Sequence, residues 1–554
     1  MRSKIKEIKL ALKRNIYDSS NHLLTLVDKS PYSKTYGCFD RHYWQYKIKD
    51  FPSGMSQEAI FPMFLALKNN IYRNISFKSK KNILEIIENG AKFSLATQND
   101  NGSVDDYFPY EQASGATAFT AYAILGCIEI NKKLLKKEFI YLLKKRIEWL
   151  AMNSESGKLS NHEALICLVL AKAAKIFKND FFYFSSLKRL KRLISWRNNE
   201  GWFEEYEGLD IGYETLTFSC ILNLKKFHKK EKNLLDNLIN AEAKVIIDSI
   251  EPDGNLGGEL YSRGTWNCFA HGILTYAIEN KNKKQINKVI KLLESRFLSN
   301  PYQVKDDYII QHHLWSDILT YNILERSSLD EIDNKKDTLY FLGKTTKVKQ
   351  INFYPNSGHL WIKHGSATTH VSIKMGGLFR LYKNDKFIFQ DTQNALKLQR
   401  KIYVANTLNN KINFQWINDK ELKIEGYMIK SKSELMTSPK LVLLRLVMGT
   451  IGRFFPNQIR KLMQRILIES KTTKKRKFSR IFKFSINGLT VYDSYKIFKG
   501  EKNFVHSIET SFSTYRHVIM SRIFHPYFLS LTEPNQKRII IKENNIFIER
   551  NWKV

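Results

Sequence analysis

A glycine-marked polar loop returns at intervals through the first three-fifths of the chain, and this repeat limits what the chain can fold into. It reads "DFPSGMSQEAIFP", "NDNGSVDDYFPYEQ", "NSESGKLSNHEAL", "RNNEGWFEEYEG" and "EPDGNLGGELYSRG", with marker glycines Gly54, Gly102, Gly157, Gly201 and Gly254 spaced 48, 55, 44 and 53 residues apart. Between markers lie two helical segments. The first is apolar nearly all round, as in "ATAFTAYAILGCIEI", and the second is amphipathic and basic, as in "LLKKEFIYLLKKRIEWLA". A period in this range with two helices per unit predicts stacked helical hairpins. One further step past Gly254 reaches "SNPYQVKDDYIIQHHLW", where the pattern weakens. About six pairs closing on themselves make an (α/α) toroid with inner helices that begin on one common side; an open solenoid is the alternative.

From about residue 337 the pattern changes to short alternating segments such as "HLWIKHGSATTHVSIKMGGLFRLYKNDKFIFQDT", which predict antiparallel strands of a β-sandwich. The expected domains are therefore a toroid over 1–336 and a sandwich over 337–554, in keeping with a chain of 554 residues. A basic helical insertion near 439–478 interrupts the strands. It can pack on the sandwich as a solvated helix or rest peripherally on an anionic membrane surface.

Lys and Arg number 89 against 54 Asp and Glu, a formal charge of +35, which suits a polyanionic partner. The same excess follows from a Lys-, Asn- and Ile-rich composition without a selected binding surface. The chain carries no recognisable nucleic-acid motif, so no nucleic acid is expected as partner. Cys38, Cys127, Cys167, Cys220 and Cys268 are scattered through apolar runs and read as buried free thiols of a reducing compartment. The N-terminal "MRSKIKEIKLALKRN" lacks the apolar core of a secretory signal, so a cytoplasmic location is expected. No uncharged run reaches the length of a membrane span. With no nucleotide loop, redox motif or zinc pattern, neither cofactor nor metal is expected.

In a toroid every marker loop delivers polar side chains to one mouth. In "LSNHEAL", Ser160 and Glu163 have capping-box spacing, which places Asn161 and His162 in the first turn of an inner helix. A helix N-terminus suits a carboxylate, although both residues would follow a good cap without any function. In "GLDIGYETLTF", Asp210 is the expected N-cap and Tyr213 opens the helix; a phenol transfers protons when a neighbouring cation lowers its pKa. "GELYSRGTWNCFAHG" offers Tyr261 and Arg263, the latter as an anion contact, while His271 reads as a core histidine. "GSVDDYFPYEQ" adds Tyr110 and Glu111 as substrate contacts, and Trp202, Phe203 and Tyr206 are expected sugar-facing walls.

The Asn-His opening of one inner helix, "GWFEEYEGLDIGY" about 50 residues later, "LYSRGT" after that and a β-rich C-terminal half together resemble the heparinase II/III-like polysaccharide lyases, especially those found with surface-polysaccharide genes. The resemblance implies an acidic, uronate-containing polysaccharide as substrate. Asn161 and His162 then neutralise the uronate carboxylate, and Tyr213, with Tyr206 as competitor, takes the C5 proton or protonates the leaving oxygen. A histidine assists; His364 and His370 in "KHGSATTHV" lie in the expected region, although the family's His-x-His-x-Asp segment is missing. The C5 proton is a very weak acid, so the carboxylate must be neutralised before charge can delocalise. The same groups serve C5-epimerisation. Two other readings stand beside this one: a glycoside hydrolase using Asp105, Asp106, Glu204 or Glu205, and a non-catalytic glycan-binding or assembly protein.

Overall fold

The computed structural model describes residues 2–72, 75–155, 157–206, 208–299, 304–327, 329, 347–392, 394–398, 401–405, 411–430, 437–459, 462, 476–498, 501, 505–507, 523–525, 527, 533–542 and 544–554. Its first part is helical: α1 (Arg2–Leu26), α2 (Arg41–Trp44), α3 (Ile60–Lys68, entered through the 3-10 turn Met55–Ala59), α4 (Phe77–Ala96), α5 (Ser114–Ile130), α6 (Lys137–Met152), α7 (Ser160–Phe177), α8 (Asp180–Ile194), α9 (Ile211–Leu224), α10 (Lys232–Asp248), α11 (Ala270–Glu279), α12 (Lys283–Glu294) and α13 (Ile310–Arg326). Helices α3, α5, α7, α9, α11 and α13 pack each on the next, and α13 packs back on α3. The ring is closed, which removes the open solenoid. Helix α1 completes the outer layer by packing on α12 and α13.

The two helix types sort by their faces. In α5 every residue from Ser114 to Ile128 is buried, whereas α12 buries one stripe of Ile286, Val289, Ile290, Leu292 and Leu293 and turns its lysines outward. Three of the marker glycines are explained by what stands behind them. Gly254 sits at φ +90°, and a Cβ there would lie 2.5 Å from the Lys291 carbonyl oxygen of outer helix α12. Gly102 and Gly201 have the same hand and are backed by α6 and α10. Gly54 does not belong to this series. Its φ is −61°, and the equivalent role in the first unit falls to Gly37, at φ +89° against the backbone of Asn89 in α4.

Among the described residues the remainder forms two large antiparallel sheets and one short strand pair. Strands β2 (Lys349–Tyr354), β3 (His359–His364), β4 (Ala367–Ser372), β5 (Leu378–Lys383) and β6 (Lys386–Asp391) make a five-stranded meander, while a two-residue strand β1 (Val304–Lys305) pairs with β14 (Ile523–Phe524). The larger sheet contains β7 (Ala395–Leu398), β8 (Lys401–Val404), β9 (Asn413–Asn418), β10 (Glu421–Lys430), β11 (Arg476–Ser485), β12 (Gly488–Lys496), β13 (Val505–Ser507), β15 (Gln536–Ile541) and β16 (Asn545–Lys553). Leu360, Ile362, Val371, Phe379 and Leu381 of the meander share one core with Leu422, Ile424, Phe482, Phe484, Val491 and Trp552 of the larger sheet. The two sheets form a sandwich.

Strands β3 and β4 are buried on both faces. With a side-chain period of two, their other face (His359, Trp361, His370) meets the ring. Glu251 is the centre of that joint: it accepts from His370 Nδ1 at 2.6 Å, Arg380 Nη1 at 3.2 Å and Trp361 Nε1 at 3.2 Å, and Tyr261 stacks on His359 at 4.4 Å.

The expected domain border at 336/337 lies outside the described residues. Within the expected insertion, α14 (Ser438–Gly449) and a turn at Gly452–Phe454 are present, and Arg476–Phe478 already belong to β11; 463–475 lie outside the described residues. All five cysteines are buried free thiols.

Candidate active site

The inner helices begin at one end of the ring, and their first turns build the candidate site. Asp210 caps α9 as expected, accepting from Tyr213 N at 3.1 Å. The same carboxylate accepts from Thr265 Oγ1 at 2.7 Å and Arg263 N at 3.0 Å, which ties the loop before α11 to the start of α9. The Arg263 guanidinium thereby lies between two phenols, 4.6 Å from the Tyr206 ring centroid and 4.7 Å from that of Tyr213. Burial pushes the Tyr213 phenol above its ordinary range and the Arg263 charge pulls it back, so the group is protonated at neutral pH. Asn267 lies beside its hydroxyl and accepts from His313 Nε2 at 3.1 Å.

Arg263 is not open to a substrate anion. Its Nη1 donates to Glu205 Oε1 at 2.7 Å, and both side chains are buried. Glu205 also accepts from Asn161 Nδ2 at 2.9 Å and Ser160 Oγ at 3.1 Å. The capping box is not formed: Leu159 is the N-cap of α7, Ser160 reaches Glu205, and Glu163 pairs with Arg189 and Arg192. Asn161 is wholly buried, so it sets the position of Glu205 and does not face the mouth.

His162 does face the mouth. Its Nδ1 is 2.7 Å from Glu155 Oε2, and a Cβ at Gly115 would collide with its ring. The imidazole meets the edge of Phe119 at 6.2 Å. On the same phenyl ring, at 4.5 Å, lies His312 from the first turn of α13. Its Nδ1 is paired with Glu58, whose other oxygen is anchored by Trp315 Nε1 at 2.8 Å. Two carboxylate-held imidazoles thus flank Phe119, both partly exposed, with no hydrogen bond to either Nε2 among the described residues. The Glu58–His312 pair escaped sequence reading. The only signals were "SQEA" and "IIQHHLW", at the first and last turns of a ring that closes only in three dimensions.

The other expected residues lie elsewhere. His370 is fully enclosed in the joint, with both ring nitrogens engaged by Glu251 and by His359 at 2.9 Å; burial holds its pKa down. His364 is inside the sandwich, bonded to the Ser485 carbonyl at 3.0 Å and Thr369 Oγ1 at 2.8 Å, and burial lowers its pKa to about 4. Neither reaches the mouth. Tyr261 belongs to the joint, and Trp202 is buried with Nε1 on Glu200 at 2.8 Å, so neither is a sugar wall. Tyr206 and Tyr110 are partly exposed at positive φ. Glu111 is buried and accepts from the backbone of Asp106 and Tyr107. His271 is a core histidine as expected, held down to about 3 by burial and bonded to Ser316.

The carboxylates of the hydrolase reading all hold structure. Asp105 accepts from Tyr110 N and Gln112 N, Asp106 from Ser53 Oγ, Glu204 pairs with Lys158, and Glu205 is bound as described.

No family model and no curated protein matches the chain. Among solved structures it is similar to a glycosyl hydrolase family 88 protein from Bacteroides vulgatus (12% identity, TM-score 0.38, covering 55% of this chain and 99% of that one). It is also similar to an unsaturated glucuronyl hydrolase from Streptococcus agalactiae (9%, 0.38, 58% and 92%) and a sugar epimerase from a ruminal bacterium (12%, 0.42, 58% and 99%). Likeness at this level carries no argument about activity, and the functional reading rests on the side chains of the mouth.

Proposed function

We propose that the protein is a heparinase II/III-like enzyme acting on a uronate-containing polysaccharide by C5 proton abstraction and β-elimination. The observation that carries the reading is the pair of carboxylate-held imidazoles on Phe119, in the same ring mouth as a protonated phenol. His162, at the N-terminus of α7, holds the uronate carboxylate. His312, oriented by Glu58, takes the C5 proton through Nε2. The C5 electron pair forms the C4–C5 double bond, the C4–O bond breaks, and Tyr213 gives its proton to the leaving oxygen. Arg263 and Asn267 orient that phenol. Without breakage of the C4–O bond, return of a proton to the other face of C5 gives epimerisation by the same groups. The hydrolase alternative lacks support because Asp105 and Asp106 are held in loop hydrogen bonds and Glu204 and Glu205 in ion pairs.

Purified protein given a panel of uronate polymers (alginate, heparosan, chondroitin, hyaluronan) is expected to generate ultraviolet-absorbing unsaturated ends on at least one. New reducing ends without unsaturation would overturn the elimination chemistry.

A further inference from the structure

Helix α14 and the turn after it form an apolar surface that no other described residue of the chain covers. Leu441, Val442, Leu443, Leu446, Ile451, Phe454 and Phe455 are each between 42% and 67% exposed, while Met448 is the one buried residue of the helix. Exposed apolar residues in such a run mark a contact surface. The segment 437–459 carries Lys440, Arg445 and Arg453 and contains no Asp or Glu, on a chain of formal charge +35. A helix of 12 residues is about 18 Å long, too short to cross a hydrocarbon core of about 30 Å.

Among the described residues, this segment makes its polar contacts with loops at the mouth of the ring. Arg445 pairs with Asp50 before α3, Gln112 before α5 donates to the Arg453 carbonyl at 2.9 Å, and Asn457 donates to the Ser154 carbonyl before α7 at 3.3 Å. The apolar surface is therefore fixed to the rim of the mouth.

We propose that α14 and the Gly452–Phe454 turn dock the protein on an anionic lipid bilayer, with the mouth at the membrane surface. The exposed Leu, Val, Ile and Phe side chains enter the boundary between headgroups and acyl chains, and Lys440 and Arg453 meet lipid phosphates while Arg445 stays on Asp50. Charge complementarity decides for this occupant. A second copy would bring two basic, acid-free segments together, whereas an anionic bilayer supplies both the apolar phase and the opposite charge.

The test is co-sedimentation of the full chain with phosphatidylglycerol/phosphatidylcholine vesicles and with pure phosphatidylcholine vesicles. The charge-neutral variant L443S/L446S/F454S is expected to partition about tenfold or more weakly onto the anionic vesicles. L10S, which changes an exposed leucine on α1, is expected to bind like the parent. Independently of any folding defect in the triple variant, L443C labelled with an environment-sensitive dye is expected to brighten on anionic vesicles; the five native thiols are buried. Undiminished binding of the triple variant, equal binding of the parent to pure phosphatidylcholine, an unresponsive label, or a dimer that the triple variant dissolves without any vesicle binding would each overturn the proposal.

Discussion

The Arg263 guanidinium lies over the ring of Tyr213, 4.7 Å from its centroid, and is fixed there by a buried ion pair with Glu205. Glu205 in turn gathers the start of α7 through Ser160 and Asn161, so one carboxylate joins two of the junctions that deliver chemistry to the mouth.

Glu205→Gln leaves the Arg263 charge enclosed without its counter-ion. The expected cost is about 3–5 kcal/mol of unfolding free energy, measured by chemical denaturation. Glu204→Gln, which breaks the more exposed pair with Lys158, is expected to cost under about 1 kcal/mol.

His312→Gln removes the proposed base and is expected to lower kcat by about 10²–10⁴-fold on the polymer that is turned over. Glu58→Gln keeps the imidazole but loses the carboxylate that orients it. Its kcat is expected to fall less, with KM unchanged; steady-state kinetics separate the two effects.

The joint between ring and sandwich weakens in acid. His370 is held below the ordinary imidazole value of 6.5 by burial, so the unfolded chain takes up a proton that the native chain refuses as pH falls through 6.5. Burial opposes ionisation of Glu251, but His370 and Arg380 outweigh it and hold the group below its ordinary 4.5, so its stabilisation is full above 4.5 and lost on further acidification. Melting temperature is expected to fall from neutral pH downward. Glu251→Gln starts lower because Arg380 loses its partner; without the carboxylate that raises His370, its fall through 6.5 is expected to be steeper and its fall below 4.5 shallower.

Glu214 and Glu242 predict the opposite slope. Both are buried, and desolvation raises both well above 4.5. The native chain then holds a proton that the unfolded chain has released, and stability declines as pH rises from 4.5 towards the raised native values. Glu242→Gln is expected to raise the melting temperature at pH 8, with the gain shrinking towards pH 4.5.

The period of the sequence carried the helical hairpins, the inner and outer faces, the strands after residue 349 and the cap at Asp210. These are local patterns, and local patterns can be read in one dimension. Ring closure made other features illegible. Glu58 and His312 are 254 residues apart, and only the packing of α13 on α3 brings them together. His370 misled for a related reason. A buried polar strand face looks the same in sequence whether it lines a site or, as here, seals a joint around Glu251. Asn161 has the expected place on its helix, but whether its amide faces substrate or Glu205 depends on a loop 44 residues away.

The most direct test of the central claim is incubation of the uronate polymer in D2O with parent, Tyr213→Phe and His312→Gln proteins, reading unsaturated ends and C5 deuterium together by mass spectrometry. Tyr213→Phe is predicted to lose unsaturated ends while C5 exchange persists, because the base is intact and the acid is gone. His312→Gln is predicted to lose both. Unsaturated ends formed at the parental rate by Tyr213→Phe, or C5 exchange undiminished in His312→Gln, would contradict it.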